Sequence, residues 1–184
     1  MADASLATPA QVLDFWFDAG PQKWFSKDEG FDAAICQRFL PTYEAAAAGR
    51  LGEWEATPEA ALALLLVLDQ FPRNMFRGSP RAFAADPLAL AAAKRAVAQN
   101  FDRQLDMPGR NFFYLPFQHS ENPVDQERCV ELSRQNSDAE GVKWAELHAD
   151  IIRRFGRFPH RNAVLGRVST PKEQAFLDAG GFAG

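Results

Sequence analysis

Apolar side chains recur along most of the chain at the three- and four-residue spacing of a helix face. One such stripe runs from Val12 to Ala19 and another from Trp144 to Phe155. No stretch shows the two-residue alternation of a β-strand, and the hairpin pairs Asn-Gly and Asp-Gly do not occur. The pattern therefore predicts an all-α fold.

Helix starts are marked by capping residues that precede a proline. Such a pair places an N-cap acceptor beside a residue whose fixed φ and missing N–H suit the first helical position. The pairs are Thr8-Pro9, Thr57-Pro58, Asp86-Pro87, Asn122-Pro123 and Thr170-Pro171. Capping-box spacings start at Thr8, Ser26 and Thr170, and helix-ending glycines stand at 49, 156 and 180.

These marks predict about seven helices, and we expect Pro41 to kink or split the second. Residues 60–68 are apolar on every side, so their helix is predicted to be central. The predicted helices are 9–18, 27–48, 58–71, 87–104, 123–136, 138–155 and 171–179. We expect a single all-α domain over residues 1–184, arranged as a helical array.

Composition narrows the class of protein. The chain has 184 residues, of which 47% are hydrophobic and 24% charged, as in an ordinary globular protein. It shows neither a secretory signal nor a run long enough to span a membrane, and Cys36 and Cys129 lack metal-site spacing. We expect a cytoplasmic protein with reduced thiols and no membrane association. The net charge of −4 argues against nucleic-acid binding.

Two segments that follow long predicted helices share one pattern. The first Arg-Asn segment is FPRNMFRG, residues 71–78, and the second is FPHRNAVLGR, residues 158–167. Asp69, at the end of the apolar helix, faces the negative end of the helix dipole. Its carboxylate therefore needs a cation, and arginine suits that geometry best.

A third polar segment, residues 111–121, ends in His119 and Glu121. In an extended segment these two side chains share a side, where an imidazole beside a carboxylate can act as a general acid or base. They can equally cap the helix that begins at Pro123. His148 lies on an apolar stripe and is interpreted as a packed core histidine. No motif for a hydrolase, a P-loop, a dinucleotide or a metal site is present, so we predict no cofactor and no metal.

Three stretches together resemble the bacterial family of domains of unknown function numbered 924. They are LDQFPRNMFRG (68–78), FFYLPFQHSE (112–121) and RRFGRFPHRNAVLGRVSTPKEQAFL (153–177), and the resemblance covers almost the whole chain from VLDFWF (12–17) onward. The resemblance implies a tetratricopeptide-like right-handed superhelix. It implies no activity.

The polar segments can form a structural network in which arginine–carboxylate pairs and backbone caps lock the helix ends together. For a functional site in place of such a network, the sequence leaves three functions open. The first is a binding module that recognises a small anionic ligand or peptide in an arginine-, asparagine- and histidine-lined pocket, with both Arg-Asn segments gathered around it near His119. The second is an enzyme that uses His119 and Glu121 as an acid/base pair while arginines hold an anionic substrate. The third is a non-enzymatic scaffold for another protein, and the sequence also leaves homo-oligomers open. The predicted ligand-binding residues are Asp69, Gln70, Arg73, Asn74, Arg77, Arg157, His160, Arg161, Asn162 and Arg167.

Overall fold

Helices account for the regular structure of the chain. The computed structural model describes residues 6–136 and 138–182, and these contain no strand, which confirms the all-α prediction. The α-helices are α1 (Pro9–Ala19), α2 (Pro21–Trp24), α3 (Glu29–Ala47), α4 (Pro58–Leu65), α5 (Phe71–Met75), α6 (Asp86–Ala98), α7 (Leu115–Gln118), α8 (Pro123–Gln135), α9 (Ala139–Phe155) and α10 (Pro171–Asp178). Shorter 3₁₀ turns span Gly52–Ala56, Pro80–Phe83, Asp102–Gln104, Gly109–Phe113 and Pro159–Arg161.

The predicted caps form at four of the five proline starts. Thr8 and Thr170 form complete capping boxes, whereas Thr57 and Asn122 accept a hydrogen bond from the first turn. The prediction for Asp86 is wrong, because Ala85 is the N-cap of α6. The carboxylate of Asp86 binds an arginine instead.

Two other predictions about helix ends are corrected. The predicted box at Ser26 does not form, because Asp28 is the N-cap of α3 and accepts the amide hydrogen of Phe31. Pro41 lies inside α3 without splitting it, and α6 ends at Ala98 rather than at 104. At Gly156 the chain takes the left-handed conformation, with φ of 71°, and α9 ends there as predicted.

The apolar helix predicted over residues 58–71 continues beyond its predicted end and comprises α4, a π turn and α5. The π-helical turn over Leu66–Gln70, in which the amide of Phe71 donates to the carbonyl of Leu66, joins α4 to α5. The first Arg-Asn segment is therefore largely helical. Residues 61–72 are all buried, which confirms that this helix lies in the core.

The chain divides into two compact units. The first comprises the described residues up to Arg77 together with Arg81–Pro116, and the second comprises Gly78–Pro80 and the described residues from Phe117 onward. The predicted single domain and the tetratricopeptide-like superhelix stay predictions. No helix in the described ranges is long and apolar enough to cross a membrane.

Each unit has its own core. In the first unit, α4 packs against α1 and α6, and the fully buried Trp16 ring lies 5.7 Å from Phe71 and 5.8 Å from Phe112 between ring centroids. In the second unit, α8 packs on α9. There Ile151, Ile152 and Phe158 form a buried cluster at the C-terminal end of α9, where the second Arg-Asn segment begins.

Candidate functional site

Asp69 lies at the π turn of the first unit, with only 1% of its surface exposed. Arg73 Nη1 is 3.4 Å from Asp69 Oδ1 and donates to the Asp69 carbonyl at 2.6 Å. The same guanidinium forms a bidentate pair with Asp86, at 2.9 and 3.0 Å. Gln70 Nε2 also donates to Asp69 Oδ2. The prediction that Asp69 pairs with an arginine is confirmed.

Asn74 and Arg77 both bind Asp32 of α3. Asn74 Nδ2 donates to Asp32 Oδ1 at 2.8 Å, and the Arg77 guanidinium spans both carboxylate oxygens at 2.8 and 2.9 Å. Burial by itself raises the pKa of Asp32, but the hydrogen bonds from Arg77 and Asn74 outweigh it and hold that pKa below its usual value. In this part of the first Arg-Asn segment, the side chains of Asn74 and Arg77 thus both donate to one carboxylate.

Glu173 of α10 is the acid partner of Arg157 in the second unit. Arg157 donates to its two carboxylate oxygens at 2.6 and 2.8 Å and to the carbonyl of Val168 at 2.8 Å. The Arg157 hydrogen bond is the largest cause that lowers the pKa of Glu173 to about 2. Glu173 also closes the capping box with Thr170, so one carboxylate fixes the start of α10 and the end of α9.

Glu121 binds the first and the last residue of the second Arg-Asn segment, Phe158 and Arg167. Arg167 donates to both of its oxygens at 2.7 and 3.0 Å, and the amide of Phe158 donates to Oε1 at 2.8 Å. Burial raises the pKa of Glu121, but the hydrogen bonds from Arg167 and Phe158 outweigh it and lower that pKa overall. A carboxylate bound in this way stays ionised and positions the segment.

Two histidines of the second unit pack on the ring of Phe158. His148 is 5% exposed and shares a 2.8 Å hydrogen bond with the Trp144 carbonyl, which requires the proton on Nδ1. The ring centroids of His148 and His160 each lie 5.6 Å from that of Phe158. Burial lowers the pKa of His148 to about 4 and that of His160 to about 3, so both rings are neutral at pH 7. The interpretation of His148 as a core residue is confirmed.

Arg161 is 6% exposed and lies within this cluster. Its guanidinium stacks over Phe158 at 4.5 Å from the ring centroid, and Nη1 donates to the backbone carbonyl of His119 at 3.1 Å. After burial, its positive field is the next cause of the low pKa of His160. The segment thus combines a fixed cation with a neutral imidazole.

The second Arg-Asn segment contains buried polar atoms without a hydrogen-bond partner among the described residues. They include His160 Nδ1, Asn162 Oδ1 and Arg167 Nε. Asn162 is 1% exposed and its Nδ2 donates to Ser169 and Glu173, at 3.1 and 3.4 Å. The opposite assignment of the amide would direct its oxygen at the Glu173 carboxylate, which repels it. Oδ1 is therefore the orphaned acceptor, that is, the buried acceptor without a hydrogen bond.

Gln126 of α8 adds a further orphaned acceptor in the same unit. Its Nε2 donates to the carbonyls of Gln118 and Ser120 at 2.8 and 2.6 Å, which leaves Oε1 buried without a partner. Gln126 thereby fixes the backbone on both sides of His119. Sequence reasoning missed Gln126, since a glutamine in a helix carries no motif.

The structure brings the predicted site residues together in two sets, one in each unit. Asp69, Gln70, Arg73, Asn74 and Arg77 belong to the first unit. His119, Glu121, Arg157, His160, Arg161, Asn162 and Arg167 belong to the second. One cavity lined by both sets stays a prediction, as does the acid/base pair. The described residues hold no group of three or more His, Cys, Asp or Glu side chains placed to bind a metal.

Comparisons with known proteins add a family but no activity. The model of the family described as "Bacterial protein of unknown function (DUF924)" matches residues 12–181. The chain is also similar to the solved structure of a protein of unknown function from Agrobacterium tumefaciens. The two are 45% identical with a TM-score of 0.90, over 93% of this chain and 97% of the other. No curated protein matches the chain.

Proposed function

We propose a function for this chain, which belongs to DUF924, the family of bacterial proteins of unknown function. The proposed function is that of a non-catalytic binding module for a small anion. The proposed binding residues are those of the second Arg-Asn segment, above all His160, Asn162 and Arg167, with Arg161 and His119 beside them. The first Arg-Asn segment is proposed to act as a structural clamp.

The orphaned atoms of His160, Asn162 and Arg167 carry this proposal. A buried polar atom without a hydrogen bond costs about 1–3 kcal/mol, and folded proteins contain few of them. Three within ten residues of sequence suggest that a polar molecule completes their hydrogen bonds. The first Arg-Asn segment has no such atom among the described residues, which supports placing the ligand at the second Arg-Asn segment.

The orphaned atoms also restrict the chemistry of the ligand. Arg167 Nε donates, Asn162 Oδ1 accepts, and His160 Nδ1 does either according to its tautomer. The ligand therefore needs both acceptors and donors. Arg161 adds a positive field, which favours a negative charge. A hydrogen phosphate ion or a small hydroxycarboxylate has this combination.

The lowered pKa and the hydrogen bonds of Glu121 favour a binding function over a catalytic one. An acid/base carboxylate works best when its pKa lies near the working pH. The ion pair with Arg167 moves the pKa of Glu121 the other way, and both oxygens already accept hydrogen bonds. We therefore propose a positioning role for Glu121 and rank the enzyme with a His119/Glu121 pair below the binding module.

A thermal-shift experiment tests this function. Inorganic phosphate and malate are titrated into the full chain at constant ionic strength, with chloride as the reference. Ligand at ten times Kd stabilises the folded state by about 1.4 kcal/mol, which raises Tm by roughly 3–5 °C for a chain of this size. We expect that rise in the wild type and its loss in Asn162→Ala.

Asn74→Ala is the matched control. Asn74 is also buried, with 5% of its surface exposed against 1% for Asn162, and it also donates to a carboxylate, but it belongs to the first Arg-Asn segment. This variant should lose stability and still respond to the anion as the wild type does. The proposal is wrong if neither anion raises Tm, or if Asn162→Ala responds as strongly as Asn74→Ala.

A further inference from the structure

An open groove in the first unit lies outside both Arg-Asn segments. It is lined by residues of α1, α2 and α3 and by Asp28, which precedes α3, and its volume is about 410 Å³. That volume lies in the roughly 300–1,000 Å³ range of small-ligand sites. The groove therefore accommodates a few residues of a peptide.

A stacked aromatic pair forms the apolar part of this groove. The rings of Phe15 and Phe31 lie 5.4 Å apart between centroids, with planes inclined by 5°. Phe31 is 5% exposed and is held from behind by Trp16 at 5.9 Å, whereas Phe15 is only half-buried. The pair offers a rigid apolar surface to an incoming side chain.

Two cations lie over these rings. The guanidinium of Arg38 is 5.2 Å from the centroid of Phe15, and Lys23 Nζ is 5.7 Å from that of Phe31. Lys23 has Asp28 at 3.9 Å, but in the described part of the chain Arg38 has no carboxylate within ion-pair distance. Arg38 is thus oriented by a ring while its donors remain available for a carboxylate.

The acids on the groove limit how much negative charge it accepts. Asp28 is occupied, because it caps α3 through the Phe31 amide at 2.9 Å. Asp18 also lines the groove and repels a polyanion such as nucleic acid. The charge pattern fits one carboxylate at Arg38 rather than a run of them.

The sequence between two lining residues of the groove carries an exposed aromatic side chain. Phe25 lies in sequence between the lining residues Lys23 and Asp28, and 71% of its surface is exposed. Its ring is 6.5 Å from that of Phe112, so it extends the aromatic core outward. Exposed apolar surface of this kind is typical of an interaction site.

We propose that this groove binds a peptide segment in which a bulky apolar side chain packs on Phe15 and a neighbouring carboxylate pairs with Arg38. The segment is short and carries a single acidic residue beside the apolar one. This gives the chain a protein-binding surface in the first unit, independent of the anion site proposed for the second.

A peptide titration followed by two-dimensional NMR tests this surface. The probe is the capped peptide acetyl-Gly-Phe-Glu-Gly-amide, and the reference peptide has Gln in place of Glu. We expect the Glu peptide to shift amide signals of residues 15–38 and to bind the full chain about two- to fivefold more tightly than the Gln peptide, as for an exposed ion pair. Arg38→Gln should remove that difference.

Arg95→Gln is the matched control, since Arg95 is another exposed arginine of the first unit but already forms a bidentate pair with Glu55. It should leave the preference for the Glu peptide unchanged. Absence of binding, equal binding of both peptides, or signal changes outside residues 15–38 would overturn the proposal. So would a loss of preference in Arg95→Gln equal to that in Arg38→Gln.

Discussion

The two Arg-Asn segments have similar sequences but differ in how their polar atoms are used. In the first, Arg73 binds two carboxylates, and Asn74 and Arg77 share a third. In the second, Arg161 stacks on a ring and donates to a backbone carbonyl. Only the second contains buried polar atoms without a partner among the described residues.

This difference shows that a shared motif does not imply a shared role. Arginine and asparagine can lock helices when acids from distant elements reach them, as Asp32 and Asp86 do. In the second segment Asn162 and Arg167 also bind carboxylates, those of Glu173 and Glu121, but Asn162 Oδ1 and Arg167 Nε have no hydrogen-bond partner among the described residues. We infer that the first segment stabilises its unit and that the second is the better candidate for binding.

The largest expected effect comes from removing the centre of the first segment. Arg73→Met takes the guanidinium away from Asp69 and Asp86 and leaves two carboxylates with little exposure to water. Breaking a buried ion pair on one side costs about 3–5 kcal/mol. Urea unfolding of the full chain should show a loss of that size.

The exposed arginine Arg153 provides the control for this prediction. It pairs with Glu127 at 2.8 Å, but about half of each side chain is exposed, and exposed pairs contribute less than about 1 kcal/mol. Arg153→Met should therefore change the unfolding free energy far less than Arg73→Met. Equal losses would contradict the view that the first segment is a structural clamp.

Two isosteric substitutions compare the carboxylates that bind the two Arg-Asn segments. Asp32→Asn and Glu121→Gln each place an amide nitrogen opposite an arginine donor. Hydrogen bonds that involve a charged group contribute about 1.5–3 kcal/mol, and we expect a loss in that range from each change. Hydrogen exchange should show weaker protection near residues 71–78 for Asp32→Asn and near 158–167 for Glu121→Gln.

The interpretation fails if the protection pattern is the same for both variants. A global loss of protection in each would mean that neither acid acts on its own segment. Unchanged protection in Glu121→Gln would mean that the three hydrogen bonds to Glu121 do not hold the second segment.

Mild acid should act mainly on the unit that contains the second Arg-Asn segment. The folded-state pKa values of His148 and His160, about 4 and about 3, lie below the ordinary histidine value of about 6.5. Their contribution to stability is complete above pH 6.5 and is lost as the pH falls toward 4 and 3. At pH 5.5 the loss is roughly 1.4 kcal/mol for each histidine.

Urea unfolding at pH 7.5 and pH 5.5 measures this effect. His148→Phe should remove about half of the difference between the two pH values, because it deletes one of the two neutral imidazoles. In the first unit, Asp32 titrates below its ordinary pKa of 3.8 and so stays ionised across this range. An identical pH dependence in the wild type and His148→Phe would contradict the assignment.

The sequence predicted the helices and most of their caps because those signals are local. Thr8 and Thr170 reach only three residues along the chain. It also predicted that Asp69 needs an arginine, since a carboxylate at the end of an apolar helix is unfavourable on its own. The predicted stop near residue 71 is wrong, because the π turn that carries Asp69 continues into α5.

The partners of the other arginines could not be predicted from the sequence. Asp32 is 45 residues from Arg77 along the chain, and Glu121 is 46 residues from Arg167. No periodicity links such pairs, so the sequence supplied the residue types without their pairing. The orphaned acceptor of Asn162 depends in addition on which neighbours surround the side chain after folding.

The most direct test of the difference between the two Arg-Asn segments is an NMR titration of the full chain with inorganic phosphate and, separately, with malate. We predict that amide signals of residues 158–167 shift with saturation for at least one of the two anions, while those of residues 71–78 do not move. Asn162→Ala should abolish the saturable shifts. Equal shifts in both segments, or no saturable shift in residues 158–167 with either anion, would contradict the view that only the second Arg-Asn segment binds a ligand.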